Sequence, residues 1–218
     1  MKHSLLSGKI TLHQPPRGEG YRVNVDALHL ATFAGTRRAR HAFDLGAGVG
    51  AVALTLLSER AVDRVTLVEI DPRAADIARR NLVENGWADR GDVICADVRE
   101  AAREHRGEAT LVVCNPPYIA PGRGRAPKEP ARARARSGEL GTFVQAARVL
   151  CARRARACFV YPAPELTTLL ETLRKAGLEP KRMRAVHASA VRPARVVLVE
   201  AQPAKKGGLV IESPIVER

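Results

Sequence analysis

The stretch FDLGAGVGAVAL, residues 43–54, places three glycines between a short apolar run and a helix-like segment. Glycine adopts backbone conformations that other residues avoid, so Gly46, Gly48 and Gly50 allow a sharp turn and the close approach of a ligand. The helix that follows would present unpaired N–H groups at its start. Because Gly46, Gly48 and Ala51 also satisfy the permissive G-x-G-x-x-A dinucleotide pattern, the loop alone does not choose between nucleotide-like ligands.

Short apolar runs alternate with helical segments on both sides of this stretch. The runs are AFDL, VTLVEI, DVICA, TLVVC and ACFVY, and a segment with helical character follows each of them. Parallel neighbours need a long crossover, so this alternation predicts βαβ units. After Gly177, PKRMRAVHAS and ARVVLVEA follow one another closely and predict an antiparallel pair at the sheet edge, while LVIE predicts a last short strand. The sequence therefore predicts an α/β, Rossmann-like fold with a mostly parallel seven-stranded sheet, an antiparallel edge and helices on both faces.

The segment before the sheet has a different character. KITLHQPPRGEGYRVNV, residues 9–25, predicts two short extended segments around a Pro/Gly turn, and Asp26 is expected to cap the helix that follows. The length of 218 residues predicts one domain with small appendages. We expect a hairpin and helix over residues 1–40, and a main domain over 41–218 that carries a basic loop at 119–138.

The basic charge is concentrated in one part of the chain. Of the formal net charge of +13, residues 118–195 carry +12, with 17 basic and 5 acidic residues. PGRGRAPKEPARARAR, residues 121–136, is rich in proline, glycine and like charges and predicts a mobile loop. Compositional drift towards arginine would explain the excess without any function, but it would not spare the first half of the chain. The pattern therefore favours a polyanion-binding surface.

Cysteine spacing and hydropathy argue against disulfide-bonded, zinc-binding, membrane-spanning and secreted proteins. The four cysteines form no CxxC pair, so free buried thiols are expected rather than a disulfide or a zinc site, and no metal is expected. No apolar run reaches the roughly 18 residues of a membrane span, and the opening MKHSLLSGKI lacks the apolar segment of a signal peptide. A cytoplasmic location is the expectation.

Three acidic residues lie at the carboxyl ends of the first three predicted strands of the sheet. Asp44 comes just before the first glycine, where it would repel a pyrophosphate but attract the amino and sulfonium groups of S-adenosylmethionine. At roughly 4 Å and an effective dielectric constant near 20, such a contact is worth about 4 kcal/mol before desolvation. Glu69 is placed to accept both hydroxyls of a ribose, and Asp97 to accept from the exocyclic amine of the cofactor's adenine. Open α/β sheets bind ligands at this edge.

Asn115-Pro116-Pro117-Tyr118 follows the fourth strand. The Asn115 side-chain oxygen and the Pro116 carbonyl can hold both N–H groups of a conjugated amine and so aim its nitrogen at a methyl group. The prolines fix the backbone, and Tyr118 can stack on a planar base for about 1–3 kcal/mol. Catalysis would rest mainly on positioning, which supplies roughly 7–11 kcal/mol in favourable cases. A proline-rich turn that only caps a strand is the structural alternative.

These motifs resemble the class I S-adenosylmethionine-dependent methyltransferases of the NPPY type, which modify planar amino groups. QPPRGEGYRVNVDALHLATF, NPPYIAPGRG, GLEPKRMRAVH and PARVVLVEA are similar to bacterial enzymes that methylate N6 of the adenine beside the anticodon of a valine tRNA. The likeness covers nearly the whole chain. Two features depart from it: ARRAR, residues 152–156, stands where those proteins usually carry a Lys-Pro-Gly-Gly turn, and the KKGG tail is short.

The resemblance implies roles for further residues. Tyr21, Arg22 and Asp26 would close over the methionine end of the cofactor, and residues 115–118 would hold a flipped adenine. Ile70 and Val98, next to two of the acids, would also line the cofactor pocket. The partner would be RNA, most simply a tRNA, whose phosphates attract arginine without sequence preference. The arginines expected to bind RNA are Arg123, Arg125, Arg132, Arg134, Arg136, Arg182 and Arg184.

Other functions stay open at this point. A guanine-N2 or ribosomal RNA methyltransferase would use the same motifs. A protein glutamine methyltransferase shares NPPY but carries a sizeable helical domain before the glycine loop, where this chain has only about 40 residues. A nucleic-acid-binding protein that keeps the fold without activity is a third alternative, against which the intact acids and Asn115 argue. The oligomeric state, monomer or weak dimer, is not decided by the sequence.

Overall fold

The computed structural model describes residues 2–15, 24–116, 130–203 and 206–217, with the side chains of residues 2–5, 7 and 130–139 left out. The helices are α1 Val25–Ala34, α2 Ala51–Ser58, α3 Pro72–Glu84, α4 Val98–Glu104, α5 Pro130–Leu150 and α6 Leu166–Lys175. The strands are β1 Lys2–Leu5, β2 Ile10–His13, β3 Ala39–Leu45, β4 Val62–Glu69, β5 Gly91–Cys95, β6 Ala109–Cys114, β7 Cys151–Pro162, β8 Glu179–His187, β9 Ala194–Gln202, β10 Val210–Ile211 and β11 Ile215–Val216.

The main sheet has the strand order β10-β8-β9-β7-β6-β3-β4-β5, and β11 also pairs with β8. Strands β3 to β7 run parallel, whereas β9 is antiparallel to both β7 and β8. This confirms the predicted α/β fold with an antiparallel edge. The seven predicted strands are β3 to β9. The short β10 falls within the predicted LVIE, and β11 was not predicted, so the described residues form a nine-stranded sheet.

Helices cover both faces of the sheet. Helices α1, α2 and α3 pack with β2 against one face, and α4, α5 and α6 pack against the other. Successive side chains of a strand point to opposite faces, so in β3 Phe43 belongs to the second face and Asp44 points to the first. A sheet covered twice needs apolar residues on both faces, which is why its strands read as continuous apolar runs.

The N-terminal hairpin forms earlier in the chain than expected. Strands β1 and β2 pair antiparallel with Leu5 opposite Ile10. The first extended segment predicted within 9–25 is therefore β2, but its partner precedes it, and residues 16–23 lie outside the described part. Asn24, not Asp26, caps α1, because the Asn24 side-chain oxygen accepts from the N–H of Ala27 at 3.3 Å.

The predicted basic loop at 119–138 is wrong over residues 130–138, because helix α5 begins at Pro130. A proline fits the first turn of a helix, where its missing N–H would have had no intrahelical partner. Residues 117–129 lie outside the described part of the chain. The basic stretch therefore enters a helix that packs against the domain, and three of its arginines belong to that helix.

All four cysteines are free thiols. Cys114, Cys151 and Cys158 are buried, as expected, and burial raises the pKa of the Cys151 and Cys158 thiols to about 12. The expectation of burial is wrong for Cys95, which is exposed at the end of β5.

Candidate functional site

The carboxyl ends of four parallel strands form one edge of the sheet. In register, Leu45 of β3 lies opposite Val68 of β4 and Cys114 of β6, and Glu69 lies opposite Cys95. Neighbouring strands are about 4.8 Å apart, so the ends of β6, β3, β4 and β5 together span roughly 14 Å. The structure thus brings Asp44, Glu69, Asp97 and Asn115 to this edge, where β6 and β4 flank β3.

The glycine-rich loop, residues 46–50, turns from β3 into α2. Gly46, Gly48 and Gly50 all have positive φ, at 67°, 55° and 89°. At Gly50 an added Cβ atom would also lie only 2.7 Å from Leu67 Cδ2. Both constraints require glycine, because an L side chain strains this backbone and collides with β4. The loop therefore approaches the sheet closely at Gly50.

Glu69 holds this loop through its carboxylate. Its Oε2 accepts the Gly48 N–H at 2.7 Å, and its Oε1 accepts the Asp71 N–H at 2.9 Å. An ionised carboxylate offers about four acceptor positions, so two main-chain donors leave capacity for two further hydrogen bonds. The side chain is half-buried. Glu69 can therefore position the loop and still accept two hydroxyl groups from a ligand.

Asp44 is buried beneath the loop, with 2% of its surface exposed. Its Oδ2 accepts the Ala53 N–H of α2 at 3.2 Å. Desolvation raises the pKa of the Asp44 carboxyl to about 7, and the charge of Glu69 adds to the rise, although the bond from Ala53 opposes it. A buried carboxyl with such a pKa gains from a nearby cation, which would favour its ionised form.

Asp97 caps α4 and pairs with Arg99. Its Oδ1 accepts the Arg99 N–H at 2.8 Å, and the Arg99 guanidinium donates to Oδ2 at 2.7 Å. The Arg99 side-chain bond is the main cause that lowers the pKa of Asp97 to about 2. The expectation that Asp97 accepts from an adenine amine therefore requires it to share its oxygens with Arg99, a partner that the sequence analysis missed. Val98 is buried, whereas Ile70 is exposed.

The NPPY motif is described only in part. Asn115 is half-buried and Pro116 is buried directly after β6. Pro117 and Tyr118 lie outside the described residues, as do Arg123 and Arg125. The position of the motif at the site edge follows from β6, while the convergence of its acceptors on an amine stays a prediction.

Asp26 lies in an ion-pair cluster at the same edge. Strand β9 is antiparallel, so its first residues lie beside the carboxyl end of β7, with Val196 opposite Pro162. Arg195 there donates to Asp26 Oδ1 at 2.5 Å and to Glu217 Oε1 at 2.7 Å. Glu217 also bonds His29 Nε2 at 2.9 Å. The sequence analysis missed this cluster, which fixes the start of α1, and Tyr21 and Arg22 lie outside the described part.

Arg182 and Arg184 are engaged in ion pairs within the protein. Arg182 donates to Glu200 Oε2 at 2.9 Å and lies over the Phe33 ring, 3.9 Å from its centroid, with 15% of its side chain exposed. Arg184 pairs with Glu212 at 3.0 Å. Arg182 and Glu200 lie opposite each other on neighbouring strands, and Glu212 follows β10, which also pairs with β8. These ion pairs explain the placement, and we do not propose either arginine as an RNA contact. Of the other arginines expected to bind RNA, Arg132, Arg134 and Arg136 lie in α5, and their side chains are not described.

The described residues show neither a metal cluster nor a membrane helix. No group of three or more His, Cys, Asp or Glu side chains converges among them as a metal site would require. None of the described helices combines the length and the apolar character needed to cross a lipid bilayer.

Comparison with known proteins identifies the family to which the chain is related. The family model of the methyltransferase small domain matches residues 24–127. Relatives named tRNA1(Val) (adenine(37)-N6)-methyltransferase include one from an Enterobacter species, 34% identical over 72% of this chain and 64% of the relative. One from Shewanella amazonensis is 38% identical over 59% of this chain and 54% of the relative. The chain thus spans less than two thirds of the length of these two relatives. One from Erwinia tasmaniensis is 31% identical over 84% of this chain and 75% of the relative.

Solved structures show the same fold. A predicted O-methyltransferase of Agrobacterium tumefaciens superposes with a TM-score of 0.70 at 22% identity, covering 88% of this chain and 86% of that one. TYW2 of M. jannaschii in complex with AdoMet gives 0.62 at 15% identity, covering 92% and 84%. These superpositions establish the architecture, and the sequence relatives establish the family. The chain belongs to the methyltransferase family that includes the tRNA1(Val) (adenine(37)-N6)-methyltransferases.

Proposed function

We propose that the protein transfers a methyl group from S-adenosylmethionine to N6 of an adenine in RNA, namely adenine 37, beside the anticodon of a valine tRNA. The observation that carries the proposal is the row of functional groups at one sheet edge: a buried acid, a glycine loop tethered by a second acid, and Asn115 on the adjacent strand. The names of the relatives support the same acceptor.

The residues at the edge fit this cofactor. Glu69 keeps acceptor capacity for two ribose hydroxyls after binding Gly48 and Asp71. Asp44 gains from a cation, whereas a pyrophosphate would meet a repulsive charge as Asp44 ionises. When bound, S-adenosylmethionine supplies an electrophilic methyl group on a cationic sulfur. The charge at the edge thus favours this cofactor over a nicotinamide dinucleotide, although both contain a ribose.

Asn115 and Pro116 would hold the amine of the target adenine. The lone pair of an exocyclic amine is delocalised into its ring, so the nitrogen needs an aligned approach rather than a strong base. With its two N–H groups donated to the Asn115 side-chain oxygen and the Pro116 carbonyl, N6 is aimed at the methyl group. Attack would form the N–C bond as the S–C bond breaks, with S-adenosylhomocysteine as the leaving group, and the methylated amine would release one proton to solvent water. Positioning is the main contribution of the protein.

The basic residues supply attraction to RNA. Arginine neutralises phosphates whatever the sequence, while the base is chosen in the pocket, after it has left its stack at a cost of a few kcal/mol. We assign the phosphate contacts to Arg123 and Arg125 and to Arg132, Arg134 and Arg136 of α5. The relatives' names favour adenine over a guanine N2 or a glutamine amide. Action on a tRNA would place the protein in the cytoplasm.

A labelling experiment tests the proposal. The purified protein is given S-adenosylmethionine with a labelled methyl group, together with tRNA, ribosomal RNA and protein fractions from cells that lack it. Label in N6-methyladenosine from a valine tRNA is the expected result. Label in N2-methylguanosine or in methylglutamine, or no transfer to any fraction, would contradict it.

A further inference from the structure

Asn81 of α3 is fully buried, at 0% exposure, and has no part in the chemistry above. Its side-chain oxygen accepts the His13 N–H at 2.7 Å, and its nitrogen donates to the His13 carbonyl at 3.1 Å. The same nitrogen donates to the Val49 carbonyl at 2.9 Å. One side chain therefore joins strand β2 of the N-terminal hairpin to the glycine-rich loop.

Asn85 repeats half of this pattern one turn later. Its oxygen accepts the Thr11 N–H at 2.9 Å, and its nitrogen donates to the Thr11 carbonyl at 2.7 Å. The two amides thus bind alternate residues of β2 as a neighbouring strand would. The other donor bond of Asn85 goes to the Asn81 carbonyl within the helix, and no described contact joins Asn85 to the glycine-rich loop.

The bond from Asn81 to the Val49 carbonyl matters because Val49 lies within the glycine-rich loop. Gly48, on one side of Val49, donates its N–H to Glu69, and Gly50, on the other side, has a φ of 89°. Glycines leave a loop many alternative conformations, so its ligand-binding form needs fixed points outside the loop. Main-chain bonds to Val68 hold Gly46 and Ala47, Glu69 holds Gly48, and Asn81 holds Val49. Loss of one of these fixed points would lower the fraction of molecules whose loop is ready to bind, and the affinity would fall with it.

We propose that Asn81 is a positioning residue that sets the cofactor-binding conformation of the glycine-rich loop and couples it to docking of the N-terminal hairpin. The proposal rests on the proposed function for the identity of the cofactor. Asn81 bonds the loop and its side chain is fully buried, so it would act on the ligand through the loop. Its effect therefore belongs in the affinity for S-adenosylmethionine and in KM for that substrate rather than in the rate at saturation.

Asn85→Ala is the matched control for Asn81→Ala. Both variants remove a side-chain amide that binds β2, from Asn81 within α3 and from Asn85 directly after it, so both should lower the thermal unfolding midpoint. Calorimetric titration well below both midpoints should show about tenfold weaker S-adenosylmethionine binding for Asn81→Ala and binding within about twofold of wild type for Asn85→Ala. Asn81→Asp keeps the acceptor for the His13 N–H but loses both donor bonds, so it should bind as weakly as Asn81→Ala.

Hydrogen exchange without cofactor provides a second measurement. Amides of residues 47–52 should exchange faster in Asn81→Ala and Asn81→Asp than in wild type or Asn85→Ala. Equal affinity losses in the Asn81 and Asn85 variants, or wild-type affinity and exchange in both Asn81 variants, would overturn the proposal. If wild type itself does not bind S-adenosylmethionine, the proposed function fails instead, and the exchange data still decide whether Asn81 holds the loop.

Discussion

Replacement of Asp44 by asparagine should make the protein without cofactor more stable at neutral pH, and the gain should depend on pH. Burial raises the pKa of this carboxyl from 3.8 to about 7. Between these values the folded state holds a proton that the unfolded state has released, so stability falls as the pH rises. The slope is about 1.4 kcal/mol per pH unit, and the accumulated loss above pH 7 is about 4 kcal/mol.

The difference in unfolding free energy between wild type and Asp44→Asn isolates the effect of this carboxyl group. Urea unfolding of wild type and Asp44→Asn at pH 5, 6, 7 and 8 cancels the titration of the other groups. The stability of the variant relative to wild type should increase by about 2–3 kcal/mol between pH 5 and pH 8, and level off above pH 7. The amide can still accept from Ala53, and any cost of burying its NH2 group is the same at every pH.

The same substitution should weaken cofactor binding. Acids that lower the stability of a fold are found at sites where their charge has a function. The charge of Asp44 would attract a cationic ligand. Calorimetry at pH 8 should show at least tenfold weaker binding of S-adenosylmethionine to Asp44→Asn. A stability difference that is constant from pH 5 to pH 8 would refute the account of the buried charge, and unchanged affinity would refute its role towards the ligand.

Three further predictions address the acceptor, the loop and the RNA. Asn115→Ala should abolish methyl transfer with unchanged affinity for S-adenosylmethionine, and measurable turnover would remove its proposed role. Gly50→Ala should lower the unfolding free energy by about 2 kcal/mol or more in chemical denaturation, because the methyl group meets Leu67 at a positive φ. Removing two of the α5 arginines that we propose as phosphate contacts should reduce the slope of log affinity against log salt by about 1.5, whereas removing an exposed pair at the opposite edge should leave it unchanged. The double variants to compare carry glutamine at Arg132 and Arg134 or at Arg153 and Arg154. Equal slopes for both would make the α5 arginines a solvated surface.

Local pattern was sufficient for most of the fold and for the row of acids. Alternating strands and helices force parallel pairing, and parallel pairing brings every carboxyl end to one edge, so the sequence alone groups Asp44, Glu69 and Asp97. Competing local signals were less informative. Asn24 and Asp26 are both good helix caps, and the geometry of the chain's entry into α1 decides between them. The proline and like charges of residues 121–136 pointed to a loop, yet α5 begins at Pro130.

The sequence by itself determined the order of the elements, the glycine turn and the edge at which the acids lie, because these depend on periodicity and on residues close together in the chain. Only the tertiary structure decided which polar side chains are buried and paired with other groups of the protein. Arg182 meets Glu200 across neighbouring strands, and Asn81 meets His13 and Val49 at separations of 68 and 32 residues. An amide or a guanidinium has the same local pattern whether it faces water or a buried partner. Packing chooses between them, since a buried polar group must find its partner within the fold.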